Sequence, residues 1–425
     1  MRCTILAVGS RGDVQPLIAL GAGLAAAGVT VRLATHRDFQ PAVEAAALEF
    51  APIDGNAASF SGGPAGRAFR DRVADPARFK RFVDDYLGLF VARMLRDSWN
   101  ACEGADVVLA WTACAASLAE RLPVPVFNTW LTPPLHLPTS AFPNPFHTSS
   151  EPMTPHENRR SWRLGLPTLQ VGSEAVDRWR AERLGLAPLP FRQNIARLRR
   201  LPHLLGYSPS VLPKPEDWPA AVHVTGYWFL DAPGTYRPPA ELEAFLAAGS
   251  PPVAIGFSSQ VSGDPAALTR TVVDAVERSG CRAVMITGFG GLKGVDFPPH
   301  VLPVTTVPYD WLFTRVRAMV HQGGAGSTAL AVRFGLPNMA VPFGFDQGLW
   351  GQRLFELGVG PKPIPATALT AERLSSALTA LMADEEMRGR ADALGARVRA
   401  EDGIGVALRL ILEAVDRRGP RVAVS

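Results

Sequence analysis

A glycine-rich turn between an apolar run and a helix-forming run is the feature that most restricts the fold of this chain. The apolar residues 318–320 lead into His321-Gln322-Gly323-Gly324-Ala325-Gly326-Ser327-Thr328, and a predicted helix runs from Ser327 to Phe334. Glycines let the backbone approach a ligand closely, and the first turn of a helix presents free N–H groups at the positive end of its dipole. The strand–turn–helix unit therefore predicts an anion-binding site, and the commonest occupant of such sites is a diphosphate.

An acid and an amide follow the next predicted strand. Asp346 and Gln347 come shortly after Val341-Pro342, where that strand should end. A carboxylate accepts hydrogen bonds from hydroxyl groups, and a carboxamide both donates and accepts, so the pair suits a sugar. Each half taken alone also fits an ordinary surface turn. Together they predict a site for a nucleotide sugar.

Predicted strands and helices alternate in both halves of the chain. In the first half, strands at 3–8, 29–34, 107–111 and 124–128 are interleaved with helices at 15–27, 75–103 and 113–120. In the second half, strands at 253–257, 283–287, 301–305 and 338–341 accompany a helix at 265–279. This alternation predicts parallel sheets covered by helices, and 425 residues are too many for one core. The predicted fold class is α/β, with two Rossmann-like domains.

Proline-rich segments mark the predicted boundaries of these domains. Residues 1–208 are predicted to form the first domain, 209–239 a linker, and 240–395 the second domain. Residues 372–415 have a long helical pattern that weakens around Gly403 to Gly405. Its final part, 396–425, is predicted either to pack in the ordinary way or to cross back onto the first domain.

Composition excludes several functional classes. With 47% hydrophobic and 19% charged residues the chain should be globular, and its longest uncharged apolar stretch, 107–119, is too short and too polar to span a bilayer. The N-terminus lacks the pattern of a signal peptide, so a cytoplasmic location is expected. Four scattered cysteines, eight histidines without ligand spacing and no Asp-x-Asp predict neither a metal nor another cofactor. No nucleic-acid-binding motif is present.

Two further segments allow alternative interpretations. Arginines crowd between Arg159 and Arg200, with Trp162 and Trp179 among them, and predict either contact with an anionic membrane or acidic acceptor, or a solvated helix face. Residues 132–155 are rich in proline, serine and threonine and predict a mobile loop.

Apolar side chains in the first half are candidates for the wall of an acceptor site. In the predicted helix 75–103, Phe82 and Tyr86 belong to an apolar stripe at helical spacing, which fits either a core or an acceptor pocket. Trp111, Trp130 and His136 lie in the segment from 111 to 155, which is the other candidate wall.

The segment Gly9-Ser10-Arg11-Gly12-Asp13 follows the first strand, where ligands of open α/β sheets bind. Asp13 is a candidate general base for an acceptor hydroxyl, because proton transfer can be concerted with attack on an anomeric carbon of oxocarbenium character. A helix cap is the alternative role for this carboxylate.

Polar and aromatic residues also follow strands of the second half. Ser258 and Ser259 could donate to a phosphate or cap a turn. Trp311, just before the glycine-rich unit, could stack on a base or be buried in the core.

These segments resemble the GT-B fold glycosyltransferases, in the branch that contains sterol glucosyltransferases and the bacterial enzymes that glycosylate glycopeptides and polyketides. The resemblance extends over most of the chain in the family's order. The matching segments are Gly9 to Pro16, Val224-Thr225-Gly226-Tyr227-Trp228, Gly256-Phe257-Ser258-Ser259, Val307-Pro308-Tyr309-Asp310-Trp311-Leu312, His321 to Thr328, and Asp346-Gln347 with Trp350-Gly351.

The resemblance implies two domains facing each other across a cleft and an inverting transfer of a hexose from a UDP- or TDP-sugar. The implied acceptor is a hydroxyl of a lipophilic small molecule, such as a polyketide, macrolide or sterol, and Asp13 is the implied base. No metal ion is implied, because the helix dipole and the turn offset the charge of the leaving diphosphate. The implied donor-binding residues are Ser10, Arg11, Gly12, Ser258, Ser259, Tyr309, Trp311, His321, Gln322, Gly323, Gly324, Gly326, Ser327, Thr328, Asp346 and Gln347.

Three positions depart from the family pattern. Tyr309 stands where histidine is usual, Gln322 replaces the second histidine of His-His-Gly-Gly, and Ser258 replaces a common glycine. Tyr309 and Gln322 would lie near the nucleotide and phosphates, so they predict either an altered choice between uridine and thymidine donors or weak activity. Because the aspartate and the Asp-Gln pair are intact, an active enzyme is favoured. A non-catalytic nucleotide-sugar-binding accessory protein and a sugar-nucleotide epimerase are the alternatives.

Overall fold

The computed structural model describes residues 1–56, 88–147, 153–170, 172–231, 234, 236–257, 264–288, 292 and 296–417. Four residues named above, Phe82, Tyr86, Ser258 and Ser259, lie outside these ranges.

Seven parallel strands form the first sheet within the described residues, in the spatial order β3-β2-β1-β4-β5-β6-β7. Strand β1 is an interior strand, paired with β2 on one side and with the central strand β4 on the other. The strand bounds are β1 Arg2–Leu6, β2 Thr30–Thr35, β3 Glu49–Pro52, β4 Val107–Ala110, β5 Val126–Trp130, β6 His203–Leu205 and β7 Val222–Val224. Because helices cover both faces, central strands such as β4 are apolar and buried along their whole length.

The second sheet has five parallel strands in the order β10-β9-β8-β11-β12 within the described residues. Their bounds are β8 Val253–Gly256, β9 Ala283–Ile286, β10 Val301–Val304, β11 Ala318–His321 and β12 Asn338–Ala340. The order reverses between β8 and β11, and this is the kind of position at which open α/β sheets bind ligands. Two parallel-sheet domains confirm the predicted α/β fold class.

Helices connect the strands of each sheet. In the first domain they are α1 Arg11–Ala26, α2 Gln40–Ala45, α3 Gly88–Ala101, α4 Thr112–Arg121, α5 Pro155–Gln170, α6 Ser173–Trp179 and α7 Phe191–Leu198. After β7 they are α8 Ala240–Ala247, α9 Pro265–Ser279, α10 Tyr309–Phe313, α11 Ala325–Arg333, α12 Gln347–Glu356, α13 Ala371–Ala383, α14 Glu385–Ala400 and α15 Gly403–Asp416.

The single long helical pattern at 372–415 is divided into three helices. Asp384 caps α14 by accepting from the Met387 N–H at 2.7 Å, and Asp402 caps α15 by accepting from the Gly405 N–H at 2.9 Å. Such caps satisfy N–H groups that have no partner inside the helix, so a capping residue marks a helix start. Helix α15 then packs against α1 and shares its hydrophobic cluster.

The segment 209–239, predicted as a linker, contains one strand of the first sheet. Residues Val222–Val224 form β7, and Val224 pairs with Leu205 of β6. These three residues lie among prolines and show no period in the sequence, so the pairing with β6 reveals the strand.

A hydrophobic cluster joins the two domains. Trp350 on α12 is fully buried, and its ring meets that of Tyr207, which follows β6, edge-on at a centroid distance of 5.7 Å. The Arg353 guanidinium crosses the same boundary and donates to the Val211 carbonyl at 3.0 and 3.1 Å. These contacts set the cleft between the carboxyl edges of the two sheets.

Candidate active site

Asp13 lies in the first turn of α1, directly beyond β1. Ser10 is the residue that precedes the helix, and both its backbone N–H (2.7 Å) and its hydroxyl (2.9 Å) donate to Asp13 Oδ2. Asp13 is therefore not the N-cap residue itself; its carboxylate reaches back to the N-cap, as in one half of a capping box. Oδ1 has no hydrogen-bond partner among the described residues, so this oxygen is available to a ligand.

The surroundings of Asp13 make it a stronger base than a free carboxylate. Its side chain is exposed to solvent in the cleft, yet enough protein lies around it for burial to raise its pKa above the usual range. The two Ser10 hydrogen bonds and the nearby His36 ring oppose this rise. A higher pKa brings a general base closer to working pH, which favours proton abstraction from an alcohol.

The glycine-rich turn has the predicted geometry. Gly323 adopts φ +87°, and a Cβ at this position would lie 2.6 Å from the Gln347 carbonyl oxygen, so both its conformation and the available space require glycine. Helix α11 begins at Ala325, and its first N–H groups point out of the turn without intrahelical partners. A helix terminus with this geometry is suited to binding an anion.

His321 supports the turn from behind instead of facing the cleft. The ring is fully buried; its Nδ1 accepts from the Gly323 N–H at 3.0 Å, and its Nε2 lies 3.0 Å from Asn338 Oδ1. Since an N–H can only donate, Nδ1 carries no hydrogen and the neutral ring donates from Nε2. Burial lowers the pKa of His321 to about 4. The structure thus places this predicted donor-binding residue in a supporting position.

Two other residues of the turn have unsatisfied polar atoms. Gln322 Oε1 and Thr328 Oγ1 are buried and have no hydrogen-bond partner among the described residues. Buried polar atoms without partners are rare, and at a helix terminus a bound ligand is one explanation. Ser327, Gly324 and Gly326 are half-buried beside them.

Asp346 and Gln347 lie at the start of α12, with their loop against the turn. Asp346 Oδ2 accepts from Trp350 Nε1 at 2.8 Å, and Gln347 Oε1 accepts from the Phe343 N–H at 2.7 Å. Burial raises the pKa of Asp346, and the charge of Asp13 raises it further. Within this loop Phe345 has φ +56°, a strained conformation for a non-glycine residue that is typical of functional sites.

The two helix starts meet across the cleft. A Cβ on Gly326 would lie 4.0 Å from Gly12 Cα, so the N-termini of α1 and α11 approach one region. A small pocket opens beside them, lined by Gln15 and Pro16 of α1, Ala329 and Leu330 of α11, and the connecting residues Tyr227 to Leu230.

Aromatic residues of α10 lie on the rim of this region. The Tyr309 ring stacks on Phe313 at a centroid distance of 4.8 Å. Burial raises the pKa of Tyr309 to about 12, and the charge of Arg11 opposes the rise. The Trp311 ring has the Arg315 guanidinium over it at 4.2 Å and Tyr236 at its edge. Because Trp311 is only half-buried, part of its ring surface remains accessible.

Of the predicted acceptor-wall residues, Trp130 and His136 lie together, with ring centroids 6.0 Å apart. Trp111 and Trp130 are half-buried, and their indole N–H groups donate to Ser98 Oγ and Asn128 Oδ1. His136 is fully buried, and its Nε2 lies 2.8 Å from Nε2 of His203. His136 therefore belongs to the interior of the first domain and is not part of an exposed wall.

Most arginines between Arg159 and Arg200 are exposed, as the solvated-face interpretation expects, whereas the proline-rich loop is more buried than predicted. Arg180 is the buried arginine of the described segment: it is 1% exposed and donates to Glu120, Ser117 and the Ala187 carbonyl, and Trp162 and Trp179 are buried as well. In the described part of the loop, Leu137 and Phe142 are buried in the interdomain cluster. The Trp218 and Trp162 indoles donate to the carbonyls of these two residues, so the loop is anchored. This corrects the prediction of a mobile loop for residues 132–147.

Residues outside the predicted site set complete the site. Asn338 and Trp350 hold the predicted residues His321 and Asp346, and His36 holds Gly9 in the loop that carries Asp13. His36 follows the end of β2 just as Gly9 to Asp13 follow β1, so the rule that polar residues after strands form sites would have identified it. Trp350 belongs to a segment that resembles the family, whereas Asn338 carries no such signal.

Within the ranges that the structure describes, no three His, Cys, Asp or Glu side chains form a group that could hold a metal ion. In the same ranges, no helix is both long and apolar enough to cross a membrane.

Comparisons with known proteins agree with this geometry. Residues 3–129 match the model of the glycosyltransferase family 28 N-terminal domain, and residues 289–403 match that of the erythromycin biosynthesis protein CIII-like C-terminal domain. The two models cover the carboxylate-bearing loop on one side of the cleft and the glycine-rich turn on the other. The chain has the GT-B fold, with one glycosyltransferase-type domain on each side of the cleft.

Curated relatives include sterol 3-beta-glucosyltransferases from Emericella nidulans (34% identity) and Leptosphaeria maculans (35% identity). Each alignment covers 97% of this chain but only 30% and 28% of the relative, so the chain spans less than a third of these proteins.

Among solved structures, the glycosyltransferase of kitacinnamycin superposes with a TM-score of 0.71 at 20% identity, over 97% of this chain and 99% of that one. The calicheamicin glycosyltransferase CalG4 superposes with a TM-score of 0.68 at 18% identity, over 99% of both chains. These similarities establish the GT-B fold.

Proposed function

We propose that this protein transfers a hexose from a nucleoside diphosphate sugar to a hydroxyl group of a lipophilic small molecule, with inversion at the anomeric carbon. The observation that carries the proposal is the placement of Asp13, with a free Oδ1 and a raised pKa, opposite Asp346 and the N-terminus of α11. A base on one domain and an anion site on the other suit a displacement reaction across the cleft.

Each group then has a defined role. Asp13 accepts the proton of the acceptor hydroxyl as its oxygen attacks the anomeric carbon, and the bond from that carbon to the diphosphate oxygen breaks. The N–H groups of α11 and the polar atoms of Gln322 and Thr328 stabilise the departing diphosphate. Asp346 and Gln347 bind hydroxyls of the hexose. Because the helix terminus offsets the leaving charge, the reaction should proceed without a metal ion.

The donor and acceptor classes are supported by similarity alone. The relatives at 34–35% identity are sterol glucosyltransferases, whereas a superposable glycosyltransferase, VinC, was solved with dTDP. The aromatic loop from Trp130 to Phe146 and the apolar pocket beside α1 suit an acceptor with a large hydrocarbon surface. We therefore propose a UDP- or TDP-hexose as donor and a sterol or polyketide alcohol as acceptor.

The test is product detection by mass spectrometry with a panel of UDP- and TDP-sugars, pooled lipophilic alcohols and EDTA. We expect a product heavier by one hexose, undiminished by EDTA. Asp13→Asn should lower turnover by roughly 10²–10⁴-fold, because it removes the general base. Asp274→Asn, an exposed carboxylate on α9, is the matched control and should leave turnover unchanged. Epimerised donor without acceptor, or Asp13→Asn with full activity, would overturn the proposal.

A further inference from the structure

His36 lies where the first three strands end. It follows β2 directly, is fully buried, and sits between Gly9, beyond β1, and Ile53, beyond β3. The parallel register pairs Leu6 with Ala34 and Thr35 with Pro52, so these three chain ends emerge side by side at the edge that bears Asp13.

The hydrogen bonds of the ring define its tautomer. The Gly9 N–H donates to Nε2 at 3.3 Å, so Nε2 carries no hydrogen. Nδ1 is 3.3 Å from the Ile53 carbonyl oxygen, which can only accept, so Nδ1 carries the hydrogen. The ring is therefore neutral, and protonation at Nε2 would abolish the bond to Gly9.

Gly9 is in turn pressed against the Asp13 carboxylate. It adopts φ +138°, and a Cβ at this position would lie 2.5 Å from Asp13 Oδ2. The next peptide N–H, that of Ser10, donates to the same oxygen at 2.7 Å. The position of the Gly9-Ser10 backbone consequently sets the position of Oδ2 and, through it, the direction in which Oδ1 points.

We propose that His36 is a positioning residue for Asp13: as a neutral Nδ1–H imidazole it fixes the Gly9 peptide, and this peptide fixes the carboxylate in the orientation that accepts the acceptor proton. This inference rests on the proposed function, since it assigns His36 a role only if Asp13 is the base.

The charges around His36 determine when the ring is neutral. Asp38 and Asp54 face it from the adjoining segments, Asp13 faces it from α1, and all three favour the protonated form. Burial of the ring disfavours the protonated form and is the largest effect, so the pKa of His36 lies below its usual value. The neutral ring, and with it the bond to Gly9, is present at neutral pH and is lost on acidification.

The test compares His36→Leu and His36→Gln in steady-state assays with saturating acceptor. We expect His36→Leu to lower kcat by about 10-fold to 10²-fold, because displacement of a catalytic group by about 1 Å has effects of this size, while KM for the donor stays within about twofold. His36→Gln should recover part of kcat, because its amide can accept from Gly9 and donate to Ile53. Its kcat should also fall less steeply than that of wild type below neutral pH, since the amide does not titrate.

A matched control separates positioning from packing. Val31→Ala removes buried volume from the start of the same strand, far from Gly9, and should lower Tm without changing kcat. A His36→Leu variant with a lower Tm but the kcat of wild type would overturn the inference. So would a His36→Gln variant whose kcat equals that of His36→Leu and falls below neutral pH as steeply as that of wild type. If His36→Leu does not fold, the dependence of kcat on pH in His36→Gln, compared with that of wild type, tests the inference. Full activity in Asp13→Asn would instead overturn the proposed function itself.

Discussion

At the scale of residues, both sides of the cleft have the same arrangement: a buried neutral imidazole accepts a hydrogen bond from the backbone N–H of a glycine in the loop after a strand. His36 holds Gly9 in the first domain, and His321 holds Gly323 in the second. In each loop the glycine adopts a positive φ that other residues rarely adopt, so an added hydrogen bond stabilises an otherwise unfavourable backbone. The two loops that border the cleft are thus each supported by a buried ring that lies behind the loop.

The support behind His321 can be tested through Asn338. Its amide oxygen accepts from His321 Nε2, and its Nδ2 donates to the Leu336 carbonyl at 2.8 Å. Asn338→Leu leaves both groups buried without partners, so we expect the free energy of unfolding to fall by about 2–4 kcal/mol. Affinity for UDP or TDP, measured by titration calorimetry, should fall as well. Asn100→Leu, an exposed amide at the end of α3, is the control and should change neither.

At the scale of elements, the contact between α1 and α15 depends on one small residue. A Cβ on Gly23 would lie 2.3 Å from Ile404 Cγ2, so the last helix can approach the first only because Gly23 has no side chain. This contact attaches the C-terminal helix to the first domain, and α1 carries Asp13 at its other end.

Two glycine-to-alanine substitutions distinguish this contact from helix propensity. Gly389→Ala, on an exposed face of α14 with nothing within 4 Å of the new methyl group, should raise the free energy of unfolding by up to about 1 kcal/mol. Gly23→Ala should instead lower it by about 1–3 kcal/mol, because Ile404 must move. Urea unfolding gives both values.

A double-mutant cycle supplies the check on this interpretation. If the clash with Ile404 is the cause, the loss from Gly23→Ala should shrink in an Ile404→Ala background. Additive effects of the two substitutions would contradict the explanation.

At the scale of the whole molecule, buried histidines couple stability to pH. His203 and His321 each have a pKa of about 4, and burial is the main cause in both; burial also lowers the pKa of His136. In His136 and His203 the two Nε2 atoms share one hydrogen, because His203 Nδ1 already donates to the Leu201 carbonyl at 2.8 Å.

The sign of the pH dependence follows from proton uptake. An unfolded histidine binds a proton near pH 6.5, whereas these native rings bind one only near pH 4. Stability is therefore complete above about pH 6.5 and is lost as the pH falls toward 4. We expect the urea midpoint to decrease across this window, and a His136→Phe/His203→Leu double variant to decrease less. His156→Asn, at an exposed histidine, should behave as wild type. A constant wild-type midpoint would contradict the prediction.

The sequence alone determined the features whose physics is local. Helix α9 begins and ends where predicted, because Pro265 and a following glycine mark its ends, and the glycine-rich turn lies where its residues placed it. Motif order also specified the two-domain fold, since each matching segment follows a strand. Strands β6 and β7 escaped prediction because their three residues show no period and lie beside prolines, whereas the equally short β12 belongs to a continuous apolar run.

Only the tertiary structure decided what each side chain faces. His321 and His136 looked like ligand-binding residues, but strand pairing buries one behind its turn and the other against His203. Residues 209–239 resembled a linker until β7 paired with β6. His36 is 27 residues from Gly9 in sequence, and only the parallel pairing of β1 and β2 brings them together. The local sequence pattern indicates secondary-structure propensity and the spacing of residues. Burial and hydrogen-bond partners depend instead on which distant segments pack together when the sheets form.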